Sequence, residues 1–313
     1  MDRYTAWRHV PDHLKTKTSL GRMGLKLSPD QEPAAIKTHW YYSISDYYLY
    51  EVSEAIPKRK LTQKQLDALA AARLKGRTCS RCGTVKRHHS YLNCRNGGIR
   101  LCDGCQYEVM INAARNSAIE WSRDFLAIEE VLILDTETTG LDDEQDEIIQ
   151  LGIIDLQGNI LFDSFFRPAV EVTPGASAVH GLTDEDLQGA PLFSKCYNEI
   201  VTIINGRPVL IYNADFDERL FMATINRYSL PYPSWFTTEF GYTGPPNWYC
   251  VMRQFARFYG EWSDYHRSYT WKSLAFAADY FGLSVEAKHE ATADCLATLG
   301  VVRGMAGSEK RVK

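Results

Sequence analysis

The sequence lacks any long apolar run and any sign of a targeting segment. No stretch approaches the ~20 consecutive apolar residues that a membrane-spanning helix needs, and the start, MDRYTAWRHVPDHLKTK, has no apolar segment of the signal-peptide type. No internal repeat is visible. These absences predict a cytoplasmic protein that does not bind membranes. A hydrophobic content of 45% over 313 residues is enough for two folded cores.

The net charge of −4 conceals two unlike halves. Residues 1–126 contain 21 Lys and Arg against 12 Asp and Glu, a net of +9, and the remainder contains 14 against 27, a net of −13. A basic half suits binding of a polyanion, and an acidic half suits binding of metal ions. From charge alone, two solvated surfaces without such partners remain an equal alternative.

Five of the eight cysteines lie between residues 79 and 105, which indicates metal binding rather than disulfides. Two Cys-x-x-Cys pairs, separated by 19 residues, predict one structural zinc ion held by Cys79, Cys82, Cys102 and Cys105. Substitution of one ligand by His88, His89 or Cys94 is the alternative, and a redox dithiol is disfavoured because two matched pairs exceed what it requires.

The segment before residue 127 is predicted to be a small, mainly helical module behind an arm. Residues 1–37 show no clear period and are expected to be an arm or linker, and residues 38–126 form the basic, zinc-binding module. Thr62 and Gln65 fit a capping box that starts a helix, and a second helix is expected from about Cys105 to Phe125. The basic side chains predict contact with nucleic acid, with protein docking as the rival use. They are Lys58, Arg59, Lys60, Arg81, Lys86, Arg87, Arg95 and Arg100.

From residue 127 to residue 313 the pattern alternates between strands and helices, which predicts an α/β domain with a mixed central sheet flanked by helices. Strands are expected at 131–135, 147–155, 160–167 and 209–212. Helices are expected at 184–204, 216–228, 251–259, 270–281 and 290–302.

Acidic side chains follow two of these strands and open one helix. Asp135 and Glu137 are two residues apart at the end of a strand, so both project from one face about 6.5 Å apart, within reach of a shared metal ion. Asp215 and Asp217 both follow the strand at 209–212, and Asp294 lies in the first turn of the last helix. Helix capping is the alternative role for single acids in such positions.

Three motifs together resemble those of the DEDDh family of 3′→5′ exonucleases, which includes the proofreading subunit of bacterial replicative polymerases and ribonuclease T. They are Asp-x-Glu-Thr-Thr-Gly-Leu at 135–141, Asn-Ala-x-Phe-Asp at 213–217 and His-x-Ala-x-x-Asp at 289–294. The Val-His-Gly-Leu-Thr segment at 179–183 is also typical of this family. The resemblance covers about 175 residues, and it implies a ribonuclease H-like fold for them.

The resemblance also implies roles for single residues. Two Mg²⁺ or Mn²⁺ ions would be held by Asp135, Glu137, Asp217 and Asp294, and His289 would act as general base in a two-metal-ion mechanism. The terminal nucleotide would be held by the backbone at Thr136 and Thr138 and by the Leu141 side chain, with weaker contacts from His180 and Asn213. The position before Asn213 is commonly His in the family and is Tyr212 here, which puts a substrate contact from it in doubt.

The resulting prediction is an enzyme that hydrolyses phosphodiester bonds from the 3′ end of nucleic acid, with single-stranded DNA as the expected substrate. An exoribonuclease, a hydrolase of short oligonucleotides and a non-catalytic adaptor that binds nucleic acid or protein remain alternatives. The sequence leaves open the choice of DNA or RNA, the pathway, and whether a protein partner or a second copy is bound.

Overall fold

The computed structural model describes residues 1–38, 46–86, 99–233, 237–238, 241–242, 247–283 and 290–311. The chain divides into two compact units, Met1–Leu101 and Cys102–Lys313. Among the helices described, none combines the length and the apolar character needed to cross a bilayer.

The N-terminal unit contains a four-stranded sheet that was not predicted from the sequence. Its strands and helices are β1 Asp2–Tyr4, a 3₁₀ turn Trp7–His9, β2 Leu14–Thr16, α1 Lys17–Arg22, β3 Leu25–Lys26, β4 Ala35–Lys37, β5 Tyr47–Glu51, β6 Ile56–Pro57 and α2 Gln63–Arg77. The sheet order is β1-β4-β5-β2, so residues 1–37 supply three of its four strands rather than an arm or linker. The unit is therefore a mixed α/β structure, and α2 is the first long helix of the module predicted at 38–126.

These strands were not predicted from the sequence because each is only three to five residues long in this sheet. Strands this short carry too few positions for an alternating pattern to stand out. Pairing across the sheet stabilises them instead, with Ala35 opposite Leu49 and a small core of Leu14, Ala35 and Leu49. The predicted start of α2 is confirmed, because Thr62 and Gln65 form a complete capping box.

The second unit is built around a five-stranded sheet in the order β13-β10-β7-β8-β9. Its elements before the fourth sheet strand are α3 Asp103–Leu126, β7 Leu132–Thr138, β8 Ile148–Asp155, β9 Ile160–Phe165, α4 Pro174–His180, α5 Asp184–Leu187 and α6 Phe193–Ile204. They continue as β10 Val209–Ile211, α7 Ala214–Arg227, β11 Thr237–Thr238, β12 Gly241–Tyr242, β13 Trp248–Cys250, α8 Val251–Tyr259, β14 Trp262–Ser263, β15 Ser268–Tyr269, α9 Leu274–Tyr280 and α10 Ala291–Gly307.

The sheet is mixed, as the sequence predicts, and β7, β8 and β10 are buried on both faces. β7 pairs antiparallel with β8 and parallel with β10, and β10 pairs parallel with β13. Alternate residues of β7 enter different cores, with Ile133 beside the core of α8 and α10 and Leu132 and Leu134 beside that of α6 and α7. The predicted strands are found, and the edge strand β13 was missed because it is only three residues long.

Helix α3 belongs to this second unit, so the unit begins before the residue 127 at which the nuclease domain was expected to start. The helix packs on α8 and α10. Arg115 donates to the carbonyl of Phe258, and the side chain of Asn116 exchanges two hydrogen bonds with the backbone of Arg311. Arg123 donates to two further carbonyls near the end of α10. These contacts join residues far apart in sequence, which no local pattern reveals.

Candidate active site

Asp135 and Glu137 lie on one face of β7, where the alternation of the strand places them. Their partners on β8 are Gly152 and Gln150, in continuous register. Ligand oxygens of Asp135, Glu137 and Asp294 all lie within 4.8 Å of one another. Three carboxylates from two elements therefore meet at one point, although Asp294 is 157 positions beyond Glu137 (294 − 137) in the sequence.

The fourth acid of the motifs, Asp217, lies beside this cluster on helix α7 and is only 4% exposed. Its Oδ1 accepts a hydrogen bond of 2.8 Å from the hydroxyl of Thr136, which is the residue between Asp135 and Glu137 in the sequence. Asp215 differs, since it is exposed and forms an ion pair with Arg253. The geometry thus favours Asp217 over Asp215 as a member of the acid cluster.

Helix α10 is held against the sheet so that Asp294 faces the cluster. A Cβ on Gly152 would lie 2.9 Å from the backbone nitrogen of Thr292, so only a glycine admits the first turn of the helix at this distance. Cys295 lies in the same contact, with its Sγ 3.5 Å from the Gly152 carbonyl oxygen. Further along the helix, Gly300 lies against Leu283.

The cluster concentrates negative charge in a buried place. Burial first, and then the charges of Asp217, Glu137 and Asp294, raise the pKa of Asp135 well above its usual value. Burial and the charges of Asp294 and Asp217 raise the pKa of Glu137 to about 8. Burial raises the pKa of Asp217 to about 7, against the lowering effect of the Thr136 hydroxyl. Such mutual repulsion is relieved by a bound cation, and oxygen donors suit Mg²⁺ or Mn²⁺.

Gln150 is a supporting residue that the sequence reading missed. Its side chain is 1% exposed, its Oε1 accepts from the Ala291 backbone N–H at 3.3 Å, and its Nε2 donates to Asp163 Oδ1 at 3.2 Å. It therefore ties the start of α10 to β8 and β9. The available signal was a polar residue within the apolar run of β8, since buried polar groups generally need specific partners.

The loop after β7 carries Leu141 into solvent, with 78% of its surface exposed. The loop is held from below by Asp146, whose carboxylate accepts from the Thr139 hydroxyl and from the Asp142 backbone N–H, both at 2.8 Å. Gly140 lies against this carboxylate, which a Cβ would approach to 2.3 Å. An exposed leucine on a supported loop beside acids can contact a bound base.

The other predicted substrate contacts differ in exposure. Asn213 is exposed and makes no side-chain capping bond. His180 is 5% exposed, with Nδ1 3.0 Å from the donating N–H of Leu182 and Nε2 3.2 Å from the Thr138 carbonyl oxygen. Its ring therefore supports the end of β7. The Thr138 hydroxyl donates to the Gly140 carbonyl and is turned inward.

Tyr212 has a packing role in this structure. It is 5% exposed, and its hydroxyl lies 3.0 Å from the carbonyl oxygens of Lys272 and Ser273. Burial raises its pKa. The residue that departs from the family pattern thus secures the segment before α9. His289, the predicted general base, lies outside the described residues.

The cysteines predicted to bind zinc form one group whose Sγ atoms all lie within 4.8 Å of one another: Cys79, Cys82, Cys102 and Cys105. A tight turn shapes the first pair, with the Gly83 N–H donating to the Cys79 carbonyl at 3.0 Å and Gly83 at a φ of 73°. Four sulfur donors fit a closed, structural zinc site. The alternative ligands His88, His89 and Cys94 lie outside the described residues, as do Arg87 and Arg95 of the basic set.

Comparison with known proteins agrees with the geometry. The family model described as Exonuclease (RNase_T) matches residues 132–302. The uncharacterized exonuclease CP81 of Escherichia phage 186 is 35% identical over 176 residues, which are 56% of this chain and 87% of that protein. The DNA polymerase III subunit epsilon of Salmonella typhimurium is 37% identical over 101 residues, which cover 29% of this chain and only 41% of that subunit.

Solved structures that match part of the chain include exonucleases in complex with DNA. The Escherichia coli exonuclease I complex with single-stranded DNA has a TM-score of 0.44 at 19% identity, covering 54% of this chain and 38% of that one. The chain is an enzyme of the predicted kind, a 3′→5′ exonuclease with a ribonuclease H-like α/β domain, and the match over residues 132–302 shows that it belongs to the exonuclease family.

Proposed function

We propose that this chain hydrolyses single-stranded DNA from its 3′ end with the help of two divalent cations held by four acids. The observation that carries the proposal is the meeting of Asp135, Glu137 and Asp294 within 4.8 Å in a buried place, with Asp217 beside them. The raised pKa values of Glu137, about 8, and Asp217, about 7, indicate that this charge needs a counterion. A purely structural cluster would gain nothing from unrelieved repulsion.

The four acids would hold Mg²⁺ or Mn²⁺, the ions that carboxylate oxygens select. When bound, such ions supply a water of lowered pKa and stabilise charge on the departing 3′ oxygen. His289, which directly precedes Glu290 and α10 in the sequence, would accept the proton of the attacking water.

Two exposed side chains are suited to hold the terminal nucleotide. Leu141 presents its apolar surface on the loop after β7, where it can pack against the last base. Asn213 presents an amide at the start of α7, and this amide can donate a hydrogen bond to the bound nucleic acid. The buried His180 contributes indirectly by supporting the Thr138 carbonyl of β7.

DNA is the proposed substrate because a relative with 37% identity over the matched region is named a DNA polymerase III subunit. The match spans less than half of that subunit, so no partner is inferred from it. The group of four cysteines is proposed to hold one zinc ion with a structural role, since four thiolates leave no open position for catalysis.

The test is degradation of single-stranded, duplex and dinucleotide substrates of DNA and of RNA, each labelled at the 5′ or the 3′ end. We expect Mg²⁺-dependent release of mononucleotide from the 3′-labelled strand and a shortening ladder from the 5′-labelled strand. Asp135→Asn should abolish this cleavage and His289→Ala should slow it strongly. Asp215→Asn is the matched control, since that acid lies outside the cluster, and it should retain cleavage.

The same assay separates the alternatives. Faster release from RNA would make the enzyme an exoribonuclease, and activity confined to dinucleotides would make it an oligonucleotide hydrolase. Cleavage that persists in Asp135→Asn would contradict the proposed site. Binding of DNA without any cleavage in Mg²⁺ or Mn²⁺ would favour a non-catalytic adaptor.

A further inference from the structure

Two aromatic rings meet on the surface of the N-terminal unit. Trp7, in the 3₁₀ turn Trp7–His9, lies with its ring centroid 5.5 Å from that of Tyr47, the first residue of β5, at an interplanar angle of 55°. Trp7 is 53% exposed and Tyr47 is 40% exposed. Tyr48, the next residue of β5, is 53% exposed. We refer to Trp7, Tyr47 and Lys37 as the Trp7 patch.

The ammonium group of Lys37 lies over the ring of Trp7. Its ammonium nitrogen lies 5.6 Å from the Trp7 ring centroid and donates to the Thr38 carbonyl at 2.7 Å. Lys37 is 6% exposed and stands opposite Tyr47 in the sheet register. A cation near one side of an indole attracts its electron-rich face, so the ring is oriented in advance while much of its surface remains in contact with solvent.

The two rings of the Trp7 patch are not part of the buried core of this unit. The buried cluster of the sheet consists of Leu14, Ala35 and Leu49, with Tyr4 and Val10 packed against it. The exposed pair contributes little to that core. Large apolar side chains that share one exposed surface are typical of binding sites.

The charge of the unit indicates a polyanionic ligand. Residues 1–101 contain 19 Lys and Arg against 8 Asp and Glu, a net of +11. Arg8 adjoins Trp7 in the chain and is exposed, while Asp46, directly before Tyr47, offsets part of this local charge. Exposed aromatic rings in a unit of net positive charge match a single-stranded nucleic acid, whose bases stack while its phosphates attract cations.

We propose that the Trp7 patch binds unpaired bases of single-stranded nucleic acid by stacking, at a site in the N-terminal unit that is separate in sequence from the acid cluster. The inference rests on the proposed function only in that the bound strand would be the substrate of the enzyme. A duplex keeps its bases stacked on each other, so it should bind this patch more weakly than a single strand. An acidic protein surface is the rival occupant.

The experiment measures binding by the full-length chain of a short fluorescein-labelled oligothymidylate, without added divalent metal and without chelator, so that the strand stays intact and zinc is retained. Trp7→Ala should weaken binding by roughly fivefold to hundredfold, the range for losing one stacked base. Trp7→Phe, which keeps a ring, should restore most of the affinity. Tyr265→Ala is the control, because Tyr265 is 90% exposed and lies in the other unit.

A second readout reports stacking itself. An oligonucleotide that carries 2-aminopurine should lose fluorescence on binding the parent chain, and Trp7→Leu, which keeps an apolar contact with Tyr47, should lessen that quenching. Affinity and quenching within twofold of the parent in folded Trp7→Ala and Trp7→Leu proteins would overturn the proposal and favour the acidic protein partner. Failure of the proposed function would show itself differently, as the absence of Mg²⁺-dependent cleavage.

Discussion

Replacing Glu137 by Gln should stabilise the metal-free protein while removing its response to Mg²⁺. The pKa of Glu137 is about 8 in the folded chain against 4.5 for the ordinary side chain, and the residue is 8% exposed. Because the folded pKa is raised, the folded state holds a proton that the unfolded state releases, so stability falls as pH rises from about 4.5 to about 8. Gln mimics the protonated side chain at every pH.

The size of the effect follows from this shift. At pH 7 the penalty spans 7 − 4.5 = 2.5 pH units, which corresponds to about 3 kcal/mol. A new buried amide with incomplete hydrogen bonding returns about 1 kcal/mol or more of this gain. A net gain of about 2 kcal/mol should raise the melting temperature by on the order of 5 °C.

Thermal unfolding at pH 4.5, 7 and 8.5, with and without Mg²⁺, tests the reasoning. Without Mg²⁺, the advantage of Glu137→Gln should be near zero at pH 4.5 and largest at the higher pH values. With Mg²⁺, the parent should gain stability and the variant should gain much less. Glu144→Gln, on the exposed loop after β7, is the control and should change neither curve. A Glu137→Gln protein that is less stable than the parent at pH 8.5 without Mg²⁺ would refute the account.

Three further predictions concern the surroundings of the site. Thr136→Val removes the hydrogen bond that lowers the pKa of Asp217, so more of this carboxyl group is protonated at pH 7. Half-maximal activity at pH 7 should therefore need severalfold more Mg²⁺, and the difference should be smaller at pH 8.5. Gly152→Ala places a Cβ 2.9 Å from the backbone of α10 and should cost about 1 to 3 kcal/mol in denaturant unfolding, whereas Gly175→Ala, which meets nothing within 4 Å, should cost little. Cys79→Ser should lower the zinc content measured by elemental analysis, and Cys196→Ser, outside the cysteine group, should leave it at one ion per chain.

The acids could be predicted because their placement depends on local rules. Side chains two positions apart in a strand lie on the same face, and that rule alone places Asp135 beside Glu137. The family motifs supplied Asp217 and Asp294, whose distance from β7 in the sequence hides their nearness in space. The raised pKa values of Asp135, Glu137 and Asp217 depend on the packing of α7 and α10, which the motifs do not describe.

The supporting contacts were not predictable for a physical reason. Gln150 and Gly152 matter because the first turn of α10 rests on them, and that contact joins positions about 140 residues apart. Helix α3 shows a helical pattern in the sequence, but only its packing on α8 and α10 assigns it to the second unit. The N-terminal sheet likewise depends on pairing between strands too short to be recognised singly.

The central claim is that the acid cluster of β7, α7 and α10 is a centre for divalent cations. Crystals grown in Mn²⁺ test it most directly, since anomalous scattering locates the ion without reference to activity. The account predicts anomalous density enclosed by the carboxylates of Asp135, Glu137 and Asp294, and its loss in crystals of Asp135→Asn. Saturating Mn²⁺ with no density between these carboxylates would contradict it.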